Sequence, residues 1–159
     1  MKKLIISACL MGKPCRYDGK SKPNEGIKAL AERYELLPIC PECMGGLPTP
    51  RPPAEIMRDG SVINREGRDV SKEYRRGAEL TLAIAKREGC SMALLKEKSP
   101  SCGRGRIYDG SFTGTLTEGD GVCAALLLQN GIEVYGESEI ETLLKKKDSN
   151  VAPHLCVKL

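Results

Sequence analysis

Tryptophan is absent from this chain of 159 residues, and phenylalanine and histidine each occur once. Because aromatic residues make up only 4% of the sequence, aliphatic side chains must build most of the core, and a hydrophobic content of 40% is enough for one domain. The single histidine, His154, lies near the C-terminus. This disfavours a catalytic triad that depends on histidine, and also a zinc site that mixes cysteine and histidine ligands.

Long hydrophobic runs are missing as well. No stretch approaches the roughly 20 apolar residues of a membrane span. The segment between Lys3 and Cys9 is shorter than the roughly 7–15 apolar residues of a secretion signal. The net charge of +4 is too small to indicate nucleic-acid binding. We therefore expect a cytoplasmic protein with no membrane or nucleic-acid partner, in which the eight cysteines stay reduced.

Short apolar runs alternate with helical patterns along the chain. The predicted strands are residues 4–10, 35–40, 92–95 and 132–135. Each predicted helix begins at a capping residue: Asn24, Ser71, Asp120 and Ser138, the last in a capping box with Glu141. The order β-α-β-α-β-α-β-α predicts an α/β, Rossmann-like three-layer domain with a mainly parallel sheet. We place this domain at residues 1–147 and a C-terminal tail at residues 148–159.

Several segments between these elements are predicted to be loops or turns. Residues 41–53 are rich in glycine and proline, and residues 96–119 form a loop of a length that is usually functional. Asp59-Gly60 is typical of a hairpin turn. The sequence Tyr-Asp-Gly occurs at residues 17–19 and 108–110, and we interpret both copies as turns because Asp-Gly favours them.

Three cysteines end or closely follow predicted strands, namely Cys9, Cys40 and Cys102. The carboxyl ends of parallel strands share one edge of a sheet, where ligands gather. If the first three strands are neighbours, three thiolates therefore face one crevice. Sulfur ligands select zinc, copper(I) or an iron–sulfur cluster, and three protein ligands leave one coordination position free. Cys15 or Cys43 could supply a fourth ligand and close the site.

Two other interpretations stay open at this point. The first is a non-catalytic zinc site on Cys9, Cys40, Cys43 and Cys102. The second is a thiol redox or sulfur-carrier module that uses the CxxC motif at residues 40–43. Residues 44–48, which follow this motif, predict no helix start that would lower a thiol pKa, so the redox interpretation is the weaker one.

Polar residues lie close to these cysteines in the sequence. Glu42 follows Cys40 by two positions and could act as a general acid or base, although most glutamates are simply exposed to water. Ser99 and Ser101 precede Cys102. Their hydroxyls could donate hydrogen bonds to a ligand or to a cluster sulfur, or they could only shape the turn.

Taken together, these segments resemble a small microbial family, formerly of unknown function, that includes a thiouracil desulfidase. The resemblance runs from about residue 4 to residue 136. It is carried by residues 7–12, 15–19, 40–42, 45–55 and 98–103. A cysteine at position 43 departs from the usual pattern of the family.

The resemblance implies a [4Fe-4S] cluster held by Cys9, Cys40 and Cys102, with Cys15 as a nearby thiol. It also implies a non-redox desulfuration, in which the substrate sulfur binds the open iron, water attacks the thiocarbonyl carbon, and the sulfur leaves as sulfide. Glu42 and Ser99 match the family positions proposed for proton transfer. We therefore expect an iron–sulfur-dependent desulfidase whose substrate is a small thiocarbonyl compound such as 2-thiouracil.

Overall fold

The computed structural model describes residues 1–20 and 24–146. Its strands in chain order are β1 (Lys2–Ser7), β2 (Tyr34–Ile39), β3 (Ala54–Ile56), β4 (Val62–Asn64), β5 (Met92–Leu95), β6 (Arg106–Tyr108), β7 (Leu116–Glu118) and β8 (Glu133–Gly136). Its helices are α1 (Ile27–Arg33), α2 (Pro41–Met44), α3 (Ser71–Glu88), α4 (Val122–Gln129) and α5 (Ile140–Lys145), with 3-10 turns at Ala8–Met11 and Glu137–Glu139.

A parallel sheet with the strand order β2-β1-β5-β8 forms the middle layer. Alternate side chains of its strands point to opposite faces. Ile5 and Leu95 pack on one face with residues of α3 and α4, whereas Leu4 and Leu94 pack on the other face with residues of α1 and α5. The predicted α/β fold with a mainly parallel sheet is therefore confirmed.

Strand β1 lies between β2 and β5, so the first three strands of the sheet in chain order are neighbours. The prediction of β5 at residues 92–95 is confirmed, and the predicted strand at 35–40 matches β2 closely. The predicted strand at 4–10 was too long, because the chain turns into a 3-10 helix at Ala8. The hairpin turn at Asp59-Gly60 is confirmed between the antiparallel strands β3 and β4.

Three local predictions were wrong. Helix α2 begins at Pro41, directly after Cys40, because a proline with its fixed φ suits the first helical position. The loop at 96–119 contains the antiparallel hairpin of β6 and β7. The predicted caps Asn24, Ser71, Asp120 and Ser138 were wrong, since within the described part of the chain no side chain caps α1, α3, α4 or α5. The Ser138 hydroxyl, for example, donates to the Glu97 carboxylate instead.

The proposed domain end at residue 147, the tail at 148–159 and His154 all lie outside the described residues. Among the helices that are described, none is long and apolar enough to cross a membrane.

Candidate active site

A cavity of about 510 Å³ opens at the carboxyl edge of the parallel sheet. Ser7 and Ile39, the last residues of β1 and β2, line it, as does Lys96, which follows β5. The three cysteines that the sequence predicted to meet all line this cavity, namely Cys9, Cys40 and Cys102. The prediction that neighbouring strand ends bring them to one crevice is confirmed.

Each of these cysteines is held by the element that follows its strand. Cys9 lies in the 3-10 turn after β1, which Gly12 ends with a φ of +93°. Cys40 lies between β2 and α2. Cys102 lies in the loop after β5, and its side chain is buried.

The loop that carries Cys102 is fixed from two sides. The Ser99 hydroxyl oxygen accepts the backbone N–H groups of Ser101 and Cys102, both at 3.1 Å. The first N–H groups of α4 donate to the carbonyls of Pro100 and Ser101, both at 2.8 Å. A Cβ on Gly121, just before α4, would lie 2.5 Å from the Ser101 carbonyl carbon, so only glycine allows this approach.

The three thiols are buried or half-buried, which disfavours free thiolates. Burial raises the pKa of Cys9 to about 12, with smaller contributions from Cys102 and Cys15. Burial likewise raises the pKa of Cys40 and of Cys102. Metal binding removes these protons, because a coordinating thiol is deprotonated. The Ser7 hydroxyl oxygen accepts the Lys96 N–H, so its own proton is left to bind the Cys102 sulfur. Hydrogen bonds to a thiolate sulfur would tune a bound cluster.

A single metal ion and an iron–sulfur cluster make different demands on the spacing of their cysteine ligands. Within residues 1–20 and 24–146, no group of three or more His, Cys, Asp or Glu side chains is arranged to hold a single metal ion. A tetrahedral zinc site with bonds of about 2.3 Å needs its sulfurs in close contact, whereas a four-iron cluster spreads its thiolates over a wider body. The described side chains thus form no ready-made single-ion site, and the three cysteines that line the cavity are the kind of donor that iron–sulfur clusters use.

Glu42 is held by three side chains from different parts of the chain. The Nε of Arg51 donates to Oε1 of Glu42 at 2.9 Å, and the Ser101 hydroxyl donates to Oε2 at 3.0 Å. The Tyr74 hydroxyl also contacts this carboxylate, which adds to burial in raising the pKa of Tyr74. Glu42 is thus an oriented, mostly buried carboxylate, in contrast to the exposed glutamate that a loop position would suggest.

Arg51 connects Glu42 to the segment around Cys15. Its side chain is 4% exposed, and its Nη2 donates to the carbonyl of Cys15 at 2.9 Å. Its Nη1 donates to the carbonyl of Pro48 at 3.1 Å and to the hydroxyl of Thr49 at 2.9 Å. Burial alone would lower the pKa of Arg51, but the Glu42 carboxylate raises it, so the guanidinium stays charged.

Helix α2 lies directly on α3, which sets the position of Cys40 and Glu42. A Cβ on Gly77 would lie 1.8 Å from the carbonyl oxygen of Pro41, and a Cβ on Gly45 would lie 1.9 Å from that of Glu73. Both contacts are between backbones. Only glycine at these two positions permits the approach.

Ser99 lines the cavity, whereas Cys43 does not belong to its lining. The hydroxyls of Ser99 and Ser101 are 3.0 Å apart, so Ser99 reaches Glu42 through Ser101. The Cys43 thiol contacts Thr49 at 3.3 Å and Arg51 at 3.8 Å, and Cys43 does not belong to the described residues that line the cavity. Cys15 does line it.

Some residues of the site did not stand out in the sequence. Arg51 lies inside the segment 45–55 that carried the family resemblance, but no local pattern pairs it with Glu42. Tyr74 lies on the buried face of α3 and reads as a core residue. The first Tyr-Asp-Gly segment is a turn, as predicted. The second was predicted wrongly in part, because Tyr108 is the last residue of β6 and only the residues after it belong to the hairpin tip. Tyr17 and Tyr108 both line the cavity.

Comparison with known proteins agrees with this geometry. A family model described as 2-thiouracil desulfurase matches residues 4–139. The uncharacterized protein YbbK of Bacillus subtilis (strain 168) is 41% identical over 150 residues, which cover 89% of this chain and 99% of that protein. A solved structure titled as the [4Fe-4S]-dependent thiouracil desulfidase TudS is 45% identical, covers 99% of both chains and superposes with a TM-score of 0.85.

Proposed function

Because this chain belongs to the 2-thiouracil desulfurase family, we propose that it is a [4Fe-4S]-dependent desulfidase that converts 2-thiouracil, or a close thiocarbonyl relative, to the carbonyl compound. The overall reaction balances without an oxidant or a reductant. One water adds its oxygen to the carbon, and hydrogen sulfide leaves. The requirement for reduced thiols supports a cytoplasmic location.

Cys9, Cys40 and Cys102 are the residues that would hold the cluster. Their thiols come from neighbouring strand ends, line one cavity, and are the soft donors that iron–sulfur clusters require. When bound by three cysteines, the cluster supplies an iron with an open position, which acts as a Lewis acid toward the thiocarbonyl sulfur. Cys43 contacts Arg51 and Thr49 outside the cavity lining, which supports a set of three ligands.

Glu42 is the residue that we assign to proton transfer. Its carboxylate lines the cavity, and Arg51 and Ser101 each bind one of its oxygens, so its orientation is fixed before substrate arrives. In this role Glu42 accepts a proton from the water that attacks the thiocarbonyl carbon. Positioned general bases contribute typically 10²–10⁴-fold to a rate.

Ser99 acts in this scheme through Ser101. Since the Ser101 hydroxyl donates to Glu42, the Ser99 hydroxyl is left to donate to Ser101. This gives the row Ser99, Ser101, Glu42, along which a proton can be passed. Ser99 also accepts two backbone N–H groups of the Cys102 loop, so it supports the loop at the same time.

The observation that supports the proposal most is the buried, oriented Glu42 on the wall of a cavity that three strand-end thiols also line. The test is anaerobic reconstitution with iron and sulfide, followed by incubation with 2-thiouracil in H₂¹⁸O. We expect uracil that carries one ¹⁸O, together with one sulfide per uracil. Protein without iron serves as the control.

Two results would contradict the proposal in different ways. A protein that carries a full cluster and releases no uracil is not this desulfidase. Uracil without ¹⁸O would retain the desulfidase activity but reject water as the direct nucleophile. A colourless protein that binds one zinc per chain would favour the structural zinc alternative instead.

A further inference from the structure

The tip of the β6–β7 hairpin reaches the mouth of the cavity. Its residues 109–115 close with a hydrogen bond from the Asp109 N–H to the Thr115 carbonyl at 2.9 Å, and both Phe112 and Gly114 line the cavity. Phe112 is the single phenylalanine of the chain, and its φ is +57°. A bulky side chain in this left-handed region is strained, and other contacts must offset that strain.

Glu55 of β3 provides these contacts. Its Oε1 accepts the backbone N–H of Gly110 at 2.9 Å and that of Phe112 at 3.1 Å. Glu55 is 9% exposed, and a glutamate is seldom so buried. A buried carboxylate therefore holds the one strained aromatic residue of the hairpin tip in place.

Arg65 completes the arrangement on the same side of the cavity. It follows β4, its backbone N–H donates to the Pro53 carbonyl at 2.8 Å, and its guanidinium carbon lies 5.6 Å from the centroid of the Phe112 ring. Arg65 also lines the cavity. An aromatic ring and a guanidinium plane are the two kinds of side chain on which flat heterocycles stack.

We propose that Phe112 and Arg65 form a stacking subsite for the planar ring of the substrate, and that Glu55 positions Phe112 for this role. The inference rests on the desulfidase function proposed above. Stacking holds the ring of the bound substrate against this wall of the cavity. It also favours cyclic, conjugated thiocarbonyl compounds over acyclic thioamides, which have no ring to stack.

The first test measures binding of 2-thiouracil to the reconstituted protein by calorimetry, alongside its steady-state turnover. Phe112→Leu should raise Kd and KM about tenfold and leave kcat within about twofold, because stacking of one base contributes a modest amount of binding. Phe112→Tyr should behave like the parent protein. Tyr135→Leu, which removes a half-buried aromatic ring outside the cavity, is the matched control and should change neither constant.

The second test asks whether Glu55 acts through Phe112. Glu55→Gln should raise Kd in the parent protein, and this increase should disappear in the Phe112→Leu background. Thioacetamide, which lacks a ring, should bind all of these variants equally well. A general loss of folding would instead raise Kd in both backgrounds and lower the melting temperature.

The outcomes separate this inference from the proposed function. If the parent protein binds and desulfurates 2-thiouracil but Phe112→Leu leaves Kd unchanged, the subsite is wrong and the desulfidase stands. If Glu55→Gln raises Kd equally in both backgrounds, its positioning role is wrong. If the parent protein neither binds nor converts 2-thiouracil, the proposed function fails and the subsite fails with it.

Discussion

The proton transfer that we propose for this chain depends on how the carboxylate of one residue is held. The Glu42 carboxylate is bound by Arg51 on one side and Ser101 on the other, and it is 12% exposed. Both hydrogen bonds involve a charged group, which makes them stronger than neutral ones. A side chain held in this way loses little entropy when substrate binds, and it is ready to take a proton in a fixed direction.

Glu42→Gln tests this role with almost no change in shape. We expect kcat to fall by about 10²–10⁴-fold, the range for loss of a positioned base, while iron and labile sulfide per chain stay unchanged. The measurement is single-turnover conversion of 2-thiouracil with a parallel iron assay. Glu79→Gln on the exposed side of α3 is the control and should keep full activity. Unchanged turnover in Glu42→Gln would reject the base assignment.

Cys40 and Cys43 form a natural pair for testing the ligand set, since they are three residues apart and both thiols reach the carbonyl of Cys15 at 3.7 and 3.8 Å. Cys40→Ala should abolish the brown colour and the bound iron after anaerobic reconstitution. Cys43→Ala should retain both, along with activity. Loss of the cluster in Cys43→Ala would show that this thiol is a ligand. Retention of a full cluster in Cys40→Ala would remove Cys40 from the set.

The sequence was informative about single residues where a general rule applies to them. Cys9, Cys40 and Cys102 were predicted to meet because strand ends of a parallel sheet share one edge. The partners of Glu42 were not predictable in the same way. Ser101 is 59 positions away from Glu42 along the chain. Tyr74 lies on the buried face of a helix, where the sequence predicts a core residue and gives no sign of the contact with Glu42. Such pairings depend on how elements pack.

At the scale of elements, the contact of α2 on α3 is what places Cys40 and Glu42. The short helix has one turn, and the glycine-rich segment after it gave no helical pattern, so the sequence predicted an irregular loop there. Proline at its first position and packing against Gly77 supply the stability that intrinsic propensity does not. Local sequence is a weak guide to a helix that tertiary contacts create.

Gly77→Ala tests this contact, and the sign of its effect is informative. Alanine in place of glycine within a helix usually stabilises by roughly 0.5–1 kcal/mol. Here the new Cβ would lie 1.8 Å from the Pro41 carbonyl oxygen. We therefore expect destabilisation of about 1–3 kcal/mol, measured by urea unfolding of the iron-free protein. Glu79→Ala, on the exposed side of the same helix, is the control, and a stabilised Gly77→Ala variant would contradict the proposed packing.

At the scale of the whole molecule, the site brings together three segments that follow different strands of the parallel sheet. The three candidate ligands follow β1, β2 and β5, and each lies in a short turn or loop rather than in the sheet itself. The overall layout was predictable because buried aliphatic strands alternate with amphipathic helices. The hairpin of β6 and β7 was not, since its strands are only three residues long and one of them is largely exposed.

A group bound to all three cysteines joins these segments and binds only the folded chain, so cluster loading should stabilise the whole domain. We expect the melting temperature of the anaerobically reconstituted protein to exceed that of the iron-free protein by about 5–10 °C, which corresponds to a few kcal/mol for a chain of this size. Differential scanning calorimetry under nitrogen measures the shift. Cys43→Ala should show the same increase, whereas Cys102→Ala should show none, because its loop has lost the thiol that connects it to the other two. Equal melting temperatures for loaded and iron-free parent protein would mean that the cluster does not bridge the three strand ends.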